Sequence, residues 1–548
     1  MAVVHFMINL CRYFYCLTVL AWNRMKHTSL YLAILACVLI GLAVGCTSDP
    51  AQTIGELLAT QPSASPFIPL ISRSTASSTP TVVEITPNQS ATPAPVTPTV
   101  TPQPTSALGV DPASLGGSTV RMWHPWNGEM ERALQELADE YNASNEWGIS
   151  LQVEGHGSLD DLAADVEAAA QTGEPPDLAA AFLYQALNWD DRIELVDWNP
   201  YLNDPEWGLS TADQDDFHPV FWDQGILEGR RVGIPALGSG QVLYYNQSWA
   251  QELGFSTPPT NAEEFRQQAC AAAQSSQGEN KEGGWIISTG YSAALGWIQA
   301  FGGQISRPQG GESDSSVYQF DTEPVRDAFT YLRGLFDQGC AWLAEDIETE
   351  QAFAQRQGLF ATGSMIDLPY LGETMNRQGR NDQWTVIPFP AAQGLGAINA
   401  YGPQYVMLSA SPDQRLAAWL FLRWLLSAPN QARLTQASGS FPLRRASLAA
   451  MQDYNSQHPQ WSAAVDLLDL AHPEPPYPSW IVVRWALSDA LTQLFRSYFT
   501  IDQVPQLARF LEQTAADLFL AGKETISPAA GFPTPTVSGT PVSATPTP

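Results

Sequence analysis

An alternation of strand-like and helix-like segments is the feature that most limits how this chain can fold. Three short segments have the apolar patterns of strands, and the two segments between them carry apolar side chains at helical spacing. In chain order they are residues 119–123 (strand), 129–141 (helix), 149–153 (strand), 159–166 (helix) and 178–182 (strand). This order predicts a parallel sheet with helices on both faces, so we expect an α/β fold.

The N-terminal region is typical of an export signal rather than of a folded domain. Residues 30–45 are uncharged and almost all apolar, and a helix that crosses a bilayer needs a longer run of about 20 residues. Arg24 and Lys26 place positive charge in front of this run, as in secretory signal peptides. The run ends in Ala43-Val-Gly-Cys46, which resembles the lipobox of bacterial lipoproteins, where the cysteine is acylated.

We therefore expect residues 1–46 to be a lipoprotein signal peptide, with Cys46 as the lipidated residue. Met25 followed by Lys26 would make a conventional start, so residues 1–24 are open to a second interpretation as a wrongly assigned extension. An uncleaved anchor helix is the alternative to cleavage. A lipid on Cys46 would hold the exported protein on the outer face of the cytoplasmic membrane, at the cell surface or in the periplasm.

Two segments rich in proline, threonine and serine enclose the part of the chain that can fold. Residues 47–117 and residues 527–548 bury too little apolar surface to offset the entropy lost on ordering. We expect an extended tether in the first segment and a disordered tail in the second. The folded part is then residues 118–526.

The charge of the chain restricts its partners. Fifty-six acidic residues stand against 26 Lys and Arg, which gives a net charge of −30. Such a chain is repelled by phosphate backbones, so we expect no nucleic acid partner.

Two cysteines, Cys270 and Cys340, remain in the predicted folded part. An exported chain meets an oxidising compartment, which favours a disulfide between them over the alternative of two separately buried thiols.

The sequence contains no motif of a known catalytic site. It lacks a His-Glu-x-x-His pair, a phosphate-binding glycine loop and a Gly-x-Ser-x-Gly turn. Its histidines have no ligand-like spacing with cysteine. We therefore predict no catalytic residue, no metal site and no cofactor, and we predict that the protein is not an enzyme.

Several short stretches together resemble the family 1 extracellular solute-binding proteins of bacterial ABC importers, of the maltodextrin-binding type. Each stretch alone is weak, but they follow one another in the family's order over nearly all of the predicted folded part. They are Gly173-Glu-Pro-Pro-Asp-Leu178, Arg231-Val-Gly-Ile-Pro235, Leu243-Tyr-Tyr-Asn-Gln247, Glu252-Leu-Gly254, Pro258-Pro-Thr260, Gly358-Leu-Phe-Ala-Thr-Gly-Ser-Met365 and residues 417–443.

The resemblance implies a two-lobed, type II periplasmic-binding-protein-like fold whose lobes close on a solute about a hinge. It implies that the chain crosses between the lobes near residues 236–241, 388–391 and 428–434, and Gly238, Gly240, Gly394 and Gly396 lie at or near the first two crossings. The expected lobe segments are residues 118–237 (first lobe), 238–388 (second lobe), 389–430 (return to the first lobe) and 431–526 (second lobe).

The resemblance also proposes a ligand set. A sugar presents apolar C–H faces and a rim of hydroxyl groups, so its binding cleft needs aromatic side chains together with hydrogen-bonding ones. By motif position the candidates are Trp126, Asn127, Glu129, Tyr184, Tyr291, Asp367, Tyr370, Tyr401 and Trp480.

These features together predict a lipid-anchored, monomeric protein that captures a small solute and delivers it to the membrane subunits of an ABC permease. A carbohydrate is the favoured solute. A polyamine is an open alternative because related binders hold cations in acidic and aromatic cages. A glycan-active enzyme or a surface adhesin that uses the same cleft is the other alternative.

Overall fold

The computed structural model describes residues 106–189, 193–276, 283–307, 317–344, 347–408 and 410–526. The predicted signal peptide with Cys46, the predicted tether as far as residue 105 and the predicted tail of residues 527–548 lie outside these residues.

The strands form two main sheets and one short hairpin. They are β1 Thr119–His124, β2 Ser150–Gly155, β3 Leu178–Ala181, β4 Ile226–Leu227, β5 Arg230–Arg231, β6 Ile234–Pro235, β7 Ser239–Asn246, β8 Gly283–Ile287, β9 Ala341–Leu343, β10 Gly358–Ser364, β11 Trp384–Ile387, β12 Ile398–Tyr401, β13 Gln404–Met407 and β14 Ala471–Pro473.

The α-helices pack around these sheets. They are α1 Gly128–Ser144, α2 Leu159–Thr172, α3 Leu183–Ala186, α4 Asn199–Leu202, α5 Thr211–Asp215, α6 Pro219–Trp222, α7 Gln247–Glu252, α8 Ala262–Ser275, α9 Tyr291–Ala300, α10 Glu323–Asp337, α11 Thr349–Ala354, α12 Leu368–Arg377, α13 Pro412–Leu425, α14 Ala428–Ser438, α15 Gln452–Gln457, α16 Pro459–Val465, α17 Trp480–Leu494 and α18 Val504–Ile526. None of the described helices combines the length and the apolar character that crossing a membrane requires.

The first lobe is built on a sheet with the strand order β2-β1-β3-β13-β6. Strand β1 pairs in parallel with β2 and β3, while β13 runs antiparallel to β3 and β6. Helix α2 begins at a capping box between Ser158 and Asp161 and ends at Gly173, whose φ is 82°. The predicted strand–helix alternation and the α/β fold are confirmed.

The second lobe is built on a seven-stranded sheet with the order β14-β12-β7-β10-β8-β9, in which β11 also pairs with β7. The central strand β10 is buried along its whole length because α8, α11 and their neighbours cover it. Trp285 and Trp297 pack edge to face in this lobe, with ring centroids 5.4 Å apart. Such pairs account for part of the chain's high tryptophan content.

The chain first passes from one lobe to the other between β6 and β7, within the interval that the resemblance indicated. It returns at Gly402 and Pro403, between β12 and β13, and the amide of Ala236 donates to the carbonyl of Pro403 over 3.0 Å. A Cβ atom at Gly402 would lie 1.8 Å from the carbonyl oxygen of Leu237. The two passages therefore touch, and only glycine fits at this position.

The predicted return near residues 388–391 is wrong. The strand after it, β12, still belongs to the second sheet, since Asn399 pairs with Gln241 and Tyr401 with Ser239. Gly394 and Gly396 therefore lie in a loop of the second lobe rather than at a crossing. The lobe boundary at residues 388 and 389 moves to the Gly402 passage.

The predicted boundary at residues 430 and 431 is also wrong. Helix α14, which spans it, packs on α1 of the first lobe, and Arg433 Nη1 lies 2.7 Å from Glu140 Oε2. The chain reaches the second lobe only by α16, where the side chain of Gln460 donates to the carbonyl of Trp384 over 3.1 Å. Long-range packing of Ala432 and Leu434 in the core, which sequence spacing does not reveal, keeps α14 on the first lobe.

Folded structure also begins earlier than residue 118. Ser106 Oγ donates to Asp204 Oδ2 over 2.9 Å, and the amide of Ala107 donates to the same oxygen over 2.8 Å. Leu108 packs against the core of the first lobe, and the side chain of Leu115 is fully buried. Residues 106–117 thus belong to the lobe and not to the tether, because their apolar side chains find a core that composition alone conceals.

Replacing Leu115 by alanine should destabilise the protein by about 2–5 kcal/mol, because a fully buried leucine loses packing and leaves a cavity. Leu395→Ala is the matched control, since the Leu395 side chain is 80% exposed. Urea unfolding of both variants measures the difference. Equal midpoints would place Leu115 in a tether, as composition indicated.

Cys270 of α8 and Cys340, the residue before β9, form a disulfide across 70 residues of chain. The bond fixes α8 to the edge strand of the second sheet.

The double variant Cys270→Ser, Cys340→Ser should lose about 2–4 kcal/mol of stability, because the unfolded chain regains the entropy of an open loop. A reductant should lower the thermal midpoint of the wild type to that of the variant and leave the variant unchanged. A reductant that shifts both proteins equally would contradict this role.

Candidate functional site

The carboxyl ends of β1 and β3 face the second lobe. In α/β sheets, ligands bind outside these ends. Helix α3 follows β3 directly and places Tyr184 at the boundary, where α3 packs against α17 of the second lobe. The side chain of Asn188 donates to the carbonyl of Pro478 over 2.7 Å and adds a second contact between the lobes.

A pocket lies between the lobes at this boundary. Its lining residues are Phe182, Leu183, Tyr184, Gln224, Tyr401, Gly402, Gln404, Glu474, Pro475 and Pro476. Its volume is about 20 Å³, which is close to the room that one water molecule requires. With the lobes placed as they are in this structure, no solute much larger than a water molecule fits in this pocket.

Tyr184 is the main contact of the first lobe across this boundary. Its hydroxyl accepts a hydrogen bond from Nη1 of Arg484, and its ring lies 4.5 Å from the guanidinium carbon. The ring also stacks on Phe182, with centroids 5.2 Å apart. Burial raises the pKa of the Tyr184 hydroxyl, so this group stays protonated at neutral pH.

Glu474 places a buried carboxylate in the pocket. Its oxygens accept hydrogen bonds from Asn399 Nδ2 over 3.0 Å and from Trp480 Nε1 over 2.9 Å. Burial raises the pKa of Glu474, and the nearby Arg484 partly opposes this shift. The carboxylate is thus held in a fixed orientation by donors from two other elements.

A cluster of hydroxyl groups lies beside the hinge. Ser364 Oγ is 2.9 Å from Ser239 Oγ and accepts a hydrogen bond from the Tyr401 hydroxyl, also over 2.9 Å. Ser239 begins β7 just after the first passage, and Tyr401 ends β12 just before the second. The cluster therefore ties both passages to β10.

Four of the predicted ligand residues lie at or near one another around this boundary. Tyr184 and Tyr401 line the pocket, and the ring of Tyr291 meets Trp480 edge to face with centroids 6.0 Å apart. The Trp480 side chain is fully buried, and its indole N–H is already bound by Glu474. Trp480 thus orients Glu474 rather than offering a free ring face.

Other predicted ligand residues lie outside this pocket. Trp126 stacks on His124 and meets Tyr405 edge to face, with centroid distances of 5.5 and 6.1 Å. Asn127 is exposed at the start of α1, and the exposed Glu129 forms a salt bridge with Arg132.

Asp367 and Tyr370 lie at the start of α12, behind the hydroxyl cluster. Tyr370 is 43% exposed, and its ring lies 6.0 Å from the guanidinium carbon of Arg377. Asp367 is partly buried, and burial followed by the neighbouring Glu350 raises its pKa to about 6.

Sequence reasoning missed the charged residues of the site, Glu474 and Arg484, together with Asn399 and Trp485. Glu474 lies in the proline-rich stretch His472-Pro-Glu-Pro-Pro476, and a single acidic residue among prolines is the one hint that the sequence gives of its role. Arg484 and Trp485 lie on a helix whose pattern indicates only core packing.

Two larger cavities lie elsewhere in the described residues. One of about 490 Å³ shares Pro475 and Pro476 with the pocket but lies on the side of Gln299, Gln304 and His472. The other, of about 500 Å³, is a groove between α17 and α18, far in sequence from the hinge. Within the described ranges, no three His, Cys, Asp or Glu side chains cluster as a metal site would require.

Comparison with known proteins identifies the family to which the chain belongs. Residues 136–467, more than half of the 548 residues, match the model described as a bacterial extracellular solute-binding protein. Proteins of Brucella abortus and Brucella suis that are named as binding proteins are 25% identical over 287 residues. That match covers 51% of this chain and 66% of those relatives, just under two thirds of their length.

Solved structures share the fold. The cyclic alpha-maltosyl-1,6-maltose binding protein of Arthrobacter globiformis is 20% identical with a TM-score of 0.64, covering 74% of this chain and all of that one. A sugar-binding protein of Xanthomonas citri is 19% identical with a TM-score of 0.63, covering 75% and 99%. A Mycobacterium tuberculosis protein in complex with glycerophosphocholine is 18% identical with a TM-score of 0.58, covering 73% and 99%. These likenesses establish the two-lobed architecture.

Replacing Asp367 by asparagine should raise the free energy of unfolding above that of the wild type, and this gain should be larger at pH 7 than at pH 4. The unfolded carboxyl ionises near pH 4 but the folded one only near pH 6, so the wild type loses stability as pH rises through this window. The expected gain is about 1–2 kcal/mol, after allowance for the partial exposure of the group. Urea unfolding at both pH values measures it.

Asp327→Asn, at an exposed position of α10, is the control and should show no such dependence. A difference between wild type and Asp367→Asn that is the same at pH 4 and pH 7 would contradict the raised pKa.

Proposed function

The chain belongs to the family of bacterial extracellular solute-binding proteins, and from this premise we propose that it captures a carbohydrate between its lobes. In this proposal the closed form delivers the solute to the membrane subunits of an ABC importer. The family is extracellular, so the protein acts outside the cytoplasm.

The observation that carries the proposal is the lining of the pocket between the lobes. The rings of Phe182 on the first lobe and of Tyr401 on the second provide apolar faces of the kind that sugar C–H groups contact. Glu474 and Gln404 add a carboxylate and a buried amide oxygen, and Gln404 Oε1 has no hydrogen-bond partner among the described residues. Solute hydroxyl groups would satisfy these acceptors.

The structural neighbours give independent support. Two of the three described above are named for a maltosyl-maltose or a sugar. The third was solved with glycerophosphocholine, which combines glycerol hydroxyl groups with a phosphodiester and a quaternary ammonium, so it supports a small polar solute rather than a sugar in particular.

The mechanism follows from the size of the pocket and the position of the hinge. A pocket with room for about one water admits a sugar only after the lobes rotate apart about the passages at residues 236–238 and 402–403. The lobes would then close around the solute to a cleft wider than the empty pocket, so that its hydrogen bonds to Glu474 and Gln404 form in a largely buried site. The permease would distinguish the closed shape from the open one.

Anchoring completes the proposed role. Acylation of Cys46 would hold the protein at the membrane, and the segment up to residue 105 would let the lobes reach the permease. A monomer suffices for this cycle because both walls of the pocket come from one chain.

The first test is calorimetry and thermal shift of residues 106–526 with a panel of mono- and oligosaccharides. A sugar at 100 times its dissociation constant should stabilise the protein by about 2.7 kcal/mol. Glu474→Gln should weaken binding of that sugar about tenfold or more, because a hydrogen bond to a charged acceptor is lost.

Two control variants identify the cavity. Glu263→Gln changes an exposed acid of α8 and should bind as the wild type does. Gln304→Trp places a large ring at the cavity of about 490 Å³ and should also leave affinity unchanged. Loss of binding in Gln304→Trp but not in Glu474→Gln would move the solute to that cavity, and the absence of any carbohydrate binding would end the proposal.

A further inference from the structure

Arg484 has an unusual environment for a buried arginine. Its guanidinium carbon lies 4.5 Å from the ring centroid of Tyr184, 5.4 Å from that of Tyr291 and 4.9 Å from that of Trp485. Tyr184 belongs to the first lobe, whereas Tyr291 and Trp485 belong to the second. The closed lobes thus assemble an aromatic cage, defined here as these three rings, around a cation of the protein itself.

The charge of Arg484 is not balanced by a salt bridge. The side chain is 9% exposed, its Nε has no hydrogen-bond partner, and no carboxylate of the described residues forms an ion pair with it. Two other buried arginines do have such partners: Arg333 pairs with Asp337, and Arg444 with Asp213 and Asp216.

A buried cation that forms no direct ion pair is costly unless something else stabilises it, and the nearby carboxyl of Glu474 offers only a longer-range attraction. Aromatic faces attract a cation within about 6 Å of their centroids, and the effect is strongest where water is excluded. The aromatic cage supplies three such faces, and the hydroxyl of Tyr184 accepts a hydrogen bond from the guanidinium. The cage therefore stabilises Arg484 at the lobe boundary together with the nearby Glu474.

We propose that Arg484 is a resident cation that fills the aromatic cage and thereby excludes organic cations from the solute site. An aromatic cage in a cleft is a binding site for polyamines and quaternary ammonium ions. With Arg484 inside it, a second cation meets both an occupied cage and a repulsive charge. The residue would thus decide against the polyamine alternative and for uncharged, hydroxylated solutes.

The negative charge of the chain gives a reason for excluding organic cations from the solute site. At a net charge of −30, the chain raises the local concentration of cations at its surface. A cleft with free aromatic faces and the carboxylate of Glu474 would then bind cations in competition with the solute. A fixed positive charge at the boundary removes that competition. The role of Arg484 in solute specificity rests on the proposed function, whereas its position inside the aromatic cage does not.

Tetramethylammonium and spermidine are suitable probes because both are cations that aromatic cages bind. Calorimetry at constant ionic strength should detect no binding of either probe to the wild type. In Arg484→Ala the cage is vacated, so tetramethylammonium should bind at least tenfold more tightly than to the wild type. The double variant Arg484→Ala, Trp485→Ala should lose this gain, and Trp485 is 55% exposed, so its removal is tolerable.

Arg377→Ala is the matched control, since Arg377 lies over the single ring of Tyr370. It should gain no affinity for either probe. Tight binding of spermidine to the wild type that Trp485→Ala abolishes would overturn the proposal. So would a folded Arg484→Ala that binds tetramethylammonium no better than the wild type.

Should Arg484→Ala fail to fold by circular dichroism, the wild type and Trp485→Ala still decide the matter through spermidine. Sugar binding is measured separately on the wild type. If the protein binds no carbohydrate but responds to cations as expected, the proposed function is refuted, whereas the proposal that Arg484 occupies the cage still stands.

Discussion

The contact between the backbone passages of the hinge is the constraint on which the relation of the two lobes depends. Gly402 lies so close to Leu237 that no side chain fits between them, and the amide of Phe441 donates to the carbonyl of Gly238 over 2.8 Å. Three separate stretches of chain thus meet at one place. The relative placement of the lobes is therefore set by contacts among these stretches of backbone.

The spacing of apolar residues predicts the fold only in those segments where the spacing is regular. The strand–helix alternation of the first lobe was read correctly because apolar spacing records which face of each element is buried. The second and third crossings differ from the prediction because they depend on long-range contacts: β12 stays with β7 through the Asn399–Gln241 pair, and α14 packs its Leu434 into the core with the first lobe. Composition predicts a tether over residues 106–117 because it averages over the segment and hides the buried Leu115.

The residues of the candidate site likewise fall into those that the sequence predicts and those that it does not. Aromatic residues at family motif positions could be named from the sequence, and Tyr184 and Tyr401 do line the pocket between the lobes. Glu474 and Arg484 could not, because what distinguishes them is burial of a charge, and burial is decided by residues distant in the chain. Asn399 and Trp480 hold Glu474 from two other elements, and Tyr184 meets Arg484 across 300 residues.

The contact between Tyr184 and Arg484 has a consequence for how tightly any solute can be held. If the solute binds where we propose, this contact holds the lobes together in its absence, and only molecules in which the contact is broken would admit a ligand. The apparent dissociation constant equals the intrinsic one divided by the fraction of molecules that are open. If that fraction were about one in a hundred, the apparent affinity would be about a hundredfold weaker than the pocket itself provides. A single tyrosine–arginine pair could in this way match the protein to the solute concentration in which it works.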